Sequence, residues 1–199
     1  MPRSLRPLGP GTARFSSCKV YRYELTRDLS GYPRPVDKYP PRGVLLSIGL
    51  NPSTATGEDD DPTIHKESFF TINWGYAIYV KTNAYGYRAT KPDNMFAARD
   101  RGIDIVGPDN DAAIGAAVDH VRREGGRVLA AWGQHIEPTR QRAVAQLLTG
   151  VEVVCVDINK NGSPAHPLYK KSDSLQAWTC PAEISPPQRR MRRSARAPK

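Results

Sequence analysis

One apolar run that ends abruptly in a polar loop constrains this chain most. Residues Val44–Leu50 lack the spacing of an amphipathic helix and precede a Pro-containing loop, so they predict a buried strand. Pro52 has no amide hydrogen for a sheet ladder, so the strand must end near Asn51. Open α/β sheets bind ligands at the carboxyl ends of their parallel strands, and we therefore expect a site in the loop that follows.

Later stretches repeat this pattern of strand and polar loop. Strands are predicted near 76–82, 127–132 and 151–158, with helices starting near Pro62, Asp93, Gly107–Asp111 and Pro138. This alternation predicts an α/β fold: a three-layer α/β/α sandwich with a mainly parallel four-stranded sheet, extended by an N-terminal edge strand or hairpin at Lys19–Leu25. We expect an unstructured segment at 1–16, one domain at 17–180 and a disordered basic tail at 181–199.

Composition is that of an ordinary soluble domain. The chain has 199 residues, 39% of them hydrophobic, and no run near the roughly 20 apolar residues of a membrane span. Met1–Arg14 contains no apolar segment, so we do not expect a secretory signal. Its three cysteines form no C-x-x-C pair, which predicts reduced thiols in a cytoplasm and no zinc or iron–sulfur site.

The charge is concentrated at one end. Of a net charge of +9, six cations lie within 189–199, after Ser185-Pro186-Pro187. The tail is interpreted either as a solubilising end or as an arm that binds phosphates non-specifically. In the second case, deleting the residues after Pro187 should flatten the salt dependence of nucleic-acid binding.

The acidic residues Glu58–Asp61 also allow two interpretations. Asp61 before Pro62 is a favourable cap and first residue of a helix, whereas clustered carboxylates can also hold a metal. Capping is favoured, because carboxylates complement a helix N-terminus without any metal. We expect no metal and no cofactor, since the sequence has no phosphate loop, dinucleotide fingerprint or nucleophile elbow.

Amide and imidazole side chains follow the predicted strands. Asn51, Asn83, Gly133-Gln134 and, slightly later, His166 should lie along one edge of a parallel sheet. Amides both donate and accept hydrogen bonds, so this set suits the mixed edge of a planar heterocycle such as a nucleobase. We expect the pocket to be partly apolar, with Trp132 supporting its wall.

Six stretches, in order, resemble an uncharacterised bacterial and phage family, domain of unknown function 1643. The likeness covers roughly Tyr21 to Trp178 and implies no activity. The stretches are Gly49–Ala55, Asp60–Thr63, Asn83–Thr90, Gly107–Asp111, Ala131–Gly133 and His166–Tyr169.

A more distant resemblance is to the uracil-DNA glycosylase superfamily. Four features carry it: the Gly-x-x-Pro loop at Gly49–Pro52, Thr82-Asn83 with Arg88, Trp132-Gly133, and the His166-Pro167 loop. The resemblance implies that fold and the hydrolysis of an N-glycosidic bond. The chain departs from it at Asn51, where the most active members carry Asp, and in its His-Pro loop.

The resemblance also implies residue roles. His166 would donate a hydrogen bond to the leaving base, and Asn51 would orient water without taking up its proton. Simpler roles are a turn cap for Asn51 and a backbone hydrogen bond for His166. Tyr85 and Tyr87 are interpreted either as rings that stack on a base or, as is more common after a buried strand, as packing residues. The expected substrate-binding residues are Pro52, Ser53, Asn83, Tyr85, Tyr87, Arg88, Gly133, Gln134 and Lys170.

Three function classes follow. The first is a glycosylase-like enzyme acting on a modified or damaged DNA base. The second is a module that binds a base without cleaving it, as Asn51 in place of a carboxylate favours. The third is an enzyme acting on free nucleosides or nucleotides. The basic tail favours a polymer substrate over a small one. The expected partner is nucleic acid, and DNA in particular, bound through the base pocket and the tail; no membrane partner is expected.

Overall fold

The computed structural model describes residues 5–33, 42–170 and 175–181. Within these ranges, seven strands form one sheet, accompanied by four α-helices and one 3-10 turn at Pro167–Tyr169. The strands are β1 Ala13–Phe15, β2 Arg22–Asp28, β3 Arg42–Gly49, β4 Tyr76–Asn83, β5 Gly126–Ala130, β6 Val153–Cys155 and β7 Gln176–Ala177. The helices are α1 Pro62–Asn73, α2 Pro92–Asp100, α3 Asn110–Glu124 and α4 Pro138–Leu147.

The sheet has the order β1-β2-β4-β3-β5-β6-β7. Strands β4, β3, β5 and β6 are mutually parallel, whereas β1, β2 and β7 pair in antiparallel fashion. The strand predicted from the apolar run is therefore central, and its residues 44–48 are fully buried. A strand covered on both faces must be apolar on both, which explains the nearly continuous hydrophobic run.

Alternate side chains of the central strands contact different helices. Leu46 and Ile48 belong to one apolar cluster with the stripe Ile114, Ala117 and Val118 of α3. Leu45 packs in another cluster with Phe70 of α1. Because side chains alternate across a strand, α1 and α3 lie against opposite faces of the sheet.

Helix α1 begins where the sequence predicts. The Asp61 carboxylate accepts hydrogen bonds of 2.9 Å from the amides of Thr63 and Ile64, with Pro62 in the first turn. The neighbouring Asp60 is buried and forms an ion pair with Arg27, with 2.6 Å between Oδ1 and Nη2. The acidic cluster thus supplies a helix cap and a buried ion pair.

Three expectations need correction. The sheet is seven-stranded and mixed rather than four-stranded, because β1, β2 and β7 extend its two sides. Residues 5–16, expected to be unstructured, contain β1, which covers the outer edge of β2. The predicted edge strand consequently lies inside the sheet; it starts at Arg22, after a turn at Ser16–Tyr21, and its backbone groups bond on both sides.

Two further differences concern the C-terminal part. Strand β6 spans only Val153–Cys155 instead of 151–158, because its pairing with β5 ends at Val154. The tail expected at 181–199 lies outside the described residues from 182 onward. Among the described residues, no helix combines the length and apolar character needed to cross a bilayer.

The pairing of β1 with β2 contains one irregularity. The register shifts between Arg14 and Phe15, so that Phe15 is paired with Arg22 and Arg14 with Glu24. Such a bulge re-aims the side chains beside it. Here the guanidinium of Arg22 is buried and donates to the carbonyl of Ala55 at 2.8 Å.

Candidate functional site

The parallel strands end beside one another at one edge of the sheet. Gly49, the last residue of β3, is in register with Asn83, the last residue of β4. On the other side, Ile48 is in register with Ala130 at the end of β5. The chain leaves β3 towards β4 by α1 and returns towards β5 by α3, on the opposite face. This reversal makes the topological switch point at which open α/β sheets bind ligands.

A group of polar side chains meets at this edge, on the face covered by α1. We call Gly49, Glu67, Lys81, Asn83, Gly133 and His166 the strand-end cluster. A methyl group added to Gly49 would lie 2.9 Å from Lys81 Nζ and 3.0 Å from Asn83 Oδ1. One added to Gly133 would lie 3.6 Å from the Cβ of His166. A side chain at Gly49 would therefore crowd Lys81 and Asn83, whereas one at Gly133 would make only an ordinary contact with His166.

Asn83 is the unusual member of the cluster. Its side chain is only 1% exposed, yet neither Oδ1 nor Nδ2 has a hydrogen-bond partner among the described residues. Its backbone carbonyl, by contrast, accepts a 3.0 Å bond from Asn110 Nδ2 at the start of α3. A buried polar group without a partner costs about 1–3 kcal/mol, so a fixed, unsatisfied amide requires an explanation. A ligand with its own donor and acceptor would supply both missing bonds.

A buried ion pair underlies the cluster. Lys81 Nζ donates to both carboxylate oxygens of Glu67, at 2.9 and 2.8 Å, and to Ser47 Oγ at 3.1 Å. Tyr79 donates its hydroxyl to the same carboxylate at 2.5 Å. Desolvation alone would raise the pKa of Glu67, but attraction to Lys81 and these hydrogen bonds lower that pKa overall. Glu67 is therefore an ionised, fully occupied carboxylate and not a free base.

His166 lies at the open side of the cluster. Its residue surface is exposed, and its Nδ1 accepts the amide hydrogen of Leu168 at 3.3 Å. The surrounding protein desolvates the ring and lowers its pKa, and Lys81 adds to this effect while Glu67 and Asp61 oppose it. The ring is therefore neutral at pH 7. With Nδ1 occupied as an acceptor, the hydrogen resides on Nε2, which is left as a donor.

Asn51 holds two loops together. Its Nδ2 donates to the carbonyl of Ala89 at 2.7 Å and to that of Pro52 at 3.1 Å. The amide of Ala89 in turn donates to the carbonyl of Pro52 at 2.9 Å. The loop after β3 is thereby joined to the loop after β4. This geometry matches a structural role in the turn.

The same two loops, together with Lys19 and Val20 in the turn before β2, form the walls of an open groove of about 380 Å³. We call it the loop groove. Three of the predicted substrate-binding residues, Ser53, Tyr87 and Arg88, line it together with Lys19, Thr54 and Thr90. The structure therefore divides the predicted residues between two places: Asn83, Gly133 and His166 in the strand-end cluster, and these three in the groove.

The remaining predicted residues lie elsewhere. Tyr85 is buried in the core, edge-to-face with Phe96, and its hydroxyl donates to Glu137 at 3.0 Å. Trp132 packs in the same cluster as the α3 stripe, on the face opposite Lys81, and so supports no wall of the strand-end cluster. Lys170 is bound to Asp157, Pro52 is buried and Gln134 is exposed.

Sequence reasoning missed three charged residues. Lys81 and Glu67 are central to the cluster. Arg22 is 1% exposed, and its Nε has no partner within the described ranges. A lysine in the otherwise apolar strand Tyr76–Asn83 was a detectable signal, because a buried strand carries a charge only when that charge is paired. No comparable signal marked Arg22, whose burial follows from the bulge.

These observations define an α/β protein with a polar site at the switch point of a mixed sheet. The chain belongs to the family described as "Protein of unknown function (DUF1643)", whose family model matches residues 22–168. Comparison with curated proteins and with solved structures gives no match.

Proposed function

We propose that the chain recognises a nucleobase at the strand-end cluster and cleaves its N-glycosidic bond. The unpartnered amide of Asn83 carries this proposal. A nucleobase edge presents a donor and an acceptor side by side, which is what a primary amide complements. Because the Asn83 amide is buried without these bonds in the free protein, a ligand that cannot supply both a donor and an acceptor would leave one of its groups unsatisfied and would bind more weakly.

The architecture supports the likeness to uracil-DNA glycosylases. Four parallel strands form the centre of the sheet, and α1 and α3 pack against its opposite faces. We propose on this basis the three-layer sandwich of that superfamily. Trp132-Gly133 and His166-Pro167 both lie beyond carboxyl ends of parallel strands, as the resemblance implies.

The chemistry requires a donor for the departing base. When the C1′–N bond breaks, its electron pair leaves with the base, and the sugar becomes an oxocarbenium-like cation. Water then adds to C1′ and releases its proton, and the base is finally protonated. Neutral His166 would donate from Nε2 to the base as negative charge develops, a bond that strengthens in the transition state.

One observation favours a binding module as the second candidate. Asn51 uses its amide on backbone carbonyls, and the Glu67 carboxylate is occupied by Lys81 and Tyr79, so neither is a free general base. A protein of this kind would bind the base and leave the bond intact. The third class is an enzyme for free nucleosides or nucleotides, which would recognise the base through the Asn83 amide and would not need the loop groove.

The test uses oligonucleotides that contain uracil, hypoxanthine or an oxidised pyrimidine, as single strands and as duplexes, with scoring of abasic sites. Binding is measured in parallel, and free nucleosides form a third arm. His166→Ala is compared with His135→Ala, which alters an exposed histidine in a nearby loop. Base release by the His135 variant and not by the His166 variant supports the proposal. Binding without release by any form selects the binding module, and activity on nucleosides alone selects the third class.

A further inference from the structure

We propose that the loop groove binds the phosphodiester backbone of a polynucleotide whose base enters the strand-end cluster. This inference rests on the proposed function and narrows it, because it selects a polymer over a free nucleoside. The groove is separate from the cluster, and a matched set of charge variants can test it alone.

The charge of the groove matches this partner. Lys19 and Arg88 line it with the hydroxyl residues Ser53, Thr54 and Thr90, and within the described part of the chain no carboxylate does so. Cations and hydroxyl groups are the usual partners of phosphate oxygens. An open, shallow groove also suits a backbone that passes through, whereas small molecules favour enclosed and mostly apolar pockets.

Arg88 is held in position before any ligand binds. Its Nη1 donates to the carbonyl of Lys19 at 3.1 Å, and its guanidinium lies 4.9 Å from the ring centre of Phe15. Its Nε is buried and has no partner among the described residues. Within the described ranges Arg88 forms no ion pair, so it contributes a positioned positive charge to the lining of the groove.

Lys19 is presented by an unusual backbone. It has a φ of 57°, the one positive φ among the non-glycine residues that the structure describes. The left-handed conformation is unfavourable for a residue with a side chain, and such outliers concentrate at binding sites. The Lys19 carbonyl accepts the hydrogen bond from Arg88 Nη1, so the strained turn places both cations along the same wall of the loop groove.

Buried Arg22 adds a further positive charge near Arg88. Burial is the main reason that its pKa falls to about 10, and the nearby charges of Arg88 and Arg27 contribute, while Asp61 opposes them. With that pKa, Arg22 is still a cation at neutral pH. Arg22 thus adds positive charge near Arg88 without lining the groove, and Asp61 offsets part of that charge.

The groove also has the right position. Two of its walls are the loops that directly continue β3 and β4, the strands that end in Gly49 and Asn83. The first lining residue of each loop, Ser53 or Tyr87, follows the end of its strand by four residues. The hydrogen bonds between β3 and β4 continue past the strand ends to the bond from the Tyr85 amide to the Leu50 carbonyl. This pairing holds the starts of the two loops together at the same edge of the sheet.

The experiment measures how salt weakens the binding of a single-stranded oligonucleotide without any modified base. Lys19→Gln and Arg88→Gln are each expected to reduce the slope of log K against log salt concentration by about 0.7, the contribution of one contacted phosphate. Arg88→Lys should retain the slope, because it keeps the charge. Arg123→Gln, an exposed cation at the far end of α3, is the control and should change nothing.

The outcomes separate this inference from the proposed function. A smaller slope for the two Gln variants, with Arg88→Lys unchanged, supports the groove even if no base is released from any substrate. Slopes equal to that of Arg123→Gln overturn the groove, even if the chain proves to be a glycosylase. A loss for Arg88→Lys equal to that for Arg88→Gln would also overturn it, because the effect would then not follow charge.

Discussion

The strand-end cluster and the loop groove lie along the same edge of the sheet but are built differently. In the cluster, Lys81 and Glu67 are buried and bonded to each other, and the Asn83 amide has no partner among the residues that the structure describes. In the groove, half-buried and exposed cations stand beside hydroxyl groups with open solvent around them. The first arrangement suits discrimination among ligands, and the second suits general attraction to anions. We therefore expect mutations in the strand-end cluster to impair discrimination among ligands, and mutations in the loop groove to impair the general attraction to anions.

The largest expected effect comes from breaking the buried pair. Lys81→Met leaves the Glu67 carboxylate buried with only Tyr79 as a partner, and we expect a loss of about 3–5 kcal/mol in the free energy of unfolding. Urea denaturation measures it. Lys170→Met removes an exposed lysine from its pair with Asp157 and should cost only about 0–1 kcal/mol. Equal losses would mean that the Lys81 pair is no more important than a surface pair.

His166→Ala is expected to slow the chemistry rather than binding. Removal of one donor to a developing anion typically lowers the rate about 100-fold or more, and the proposed bond strengthens only as the base departs. Single-turnover base release and equilibrium binding would be measured on the same oligonucleotide. Parallel losses in both quantities would instead assign His166 to ground-state binding.

Asn83→Leu should reduce recognition without reducing stability. The amide is buried and has no partner in the described part of the chain, so an apolar side chain of similar size is expected to leave the free energy of unfolding unchanged or raise it by about 1 kcal/mol. Discrimination between bases should fall at the same time. Asn94→Leu, on the exposed surface of α2, is the control for adding a leucine. A marked loss of stability in Asn83→Leu would show that the amide has a structural partner.

A smaller effect is expected on how the free energy of unfolding changes with pH. Desolvation of the His166 ring by the surrounding protein lowers its pKa in the folded chain below the ordinary value of 6.5, helped by Lys81 and opposed by Glu67 and Asp61. The unfolded chain therefore protonates the His166 imidazole more readily than the folded chain does. The stability that the neutral imidazole contributes is present above pH 6.5 and is lost as the pH falls through the lowered pKa. His166→Gln should show a shallower decline in unfolding free energy on mild acidification. Identical pH profiles would contradict the lowered pKa.

The sequence predicted the parallel strands and the helix starts because local signals determine them. The apolar run before Pro52 and the Asp61-Pro62 pair each act within a few residues. The strand β1 was missed because its three residues, Ala13–Phe15, carry no alternation and gain order only by pairing with β2. Long-range pairing of this kind has no local signature.

The site was predicted in part for the same reason. Asn83 and His166 could be placed at the sheet edge from strand topology, and both lie there. For Tyr85 the sequence left packing and base stacking open, since the choice depends on which face of the sheet the residue after Ala84 occupies; the structure places Tyr85 in the core. The burial of Arg22 could not be predicted, because it depends on one extra residue in the pairing of β1 and β2.

The hydrogen bonds of Asn51 have a consequence for the entropy of association. Its amide and the Ala89 amide fasten the two groove walls to each other through the Pro52 and Ala89 carbonyls. Two independent loops would have to give up conformational freedom when a ligand ordered them, and that loss would weaken binding. Loops already joined at a fixed separation have lost this freedom during folding. A ligand entering the groove therefore meets a preorganised surface, and more of its contact energy is retained as affinity.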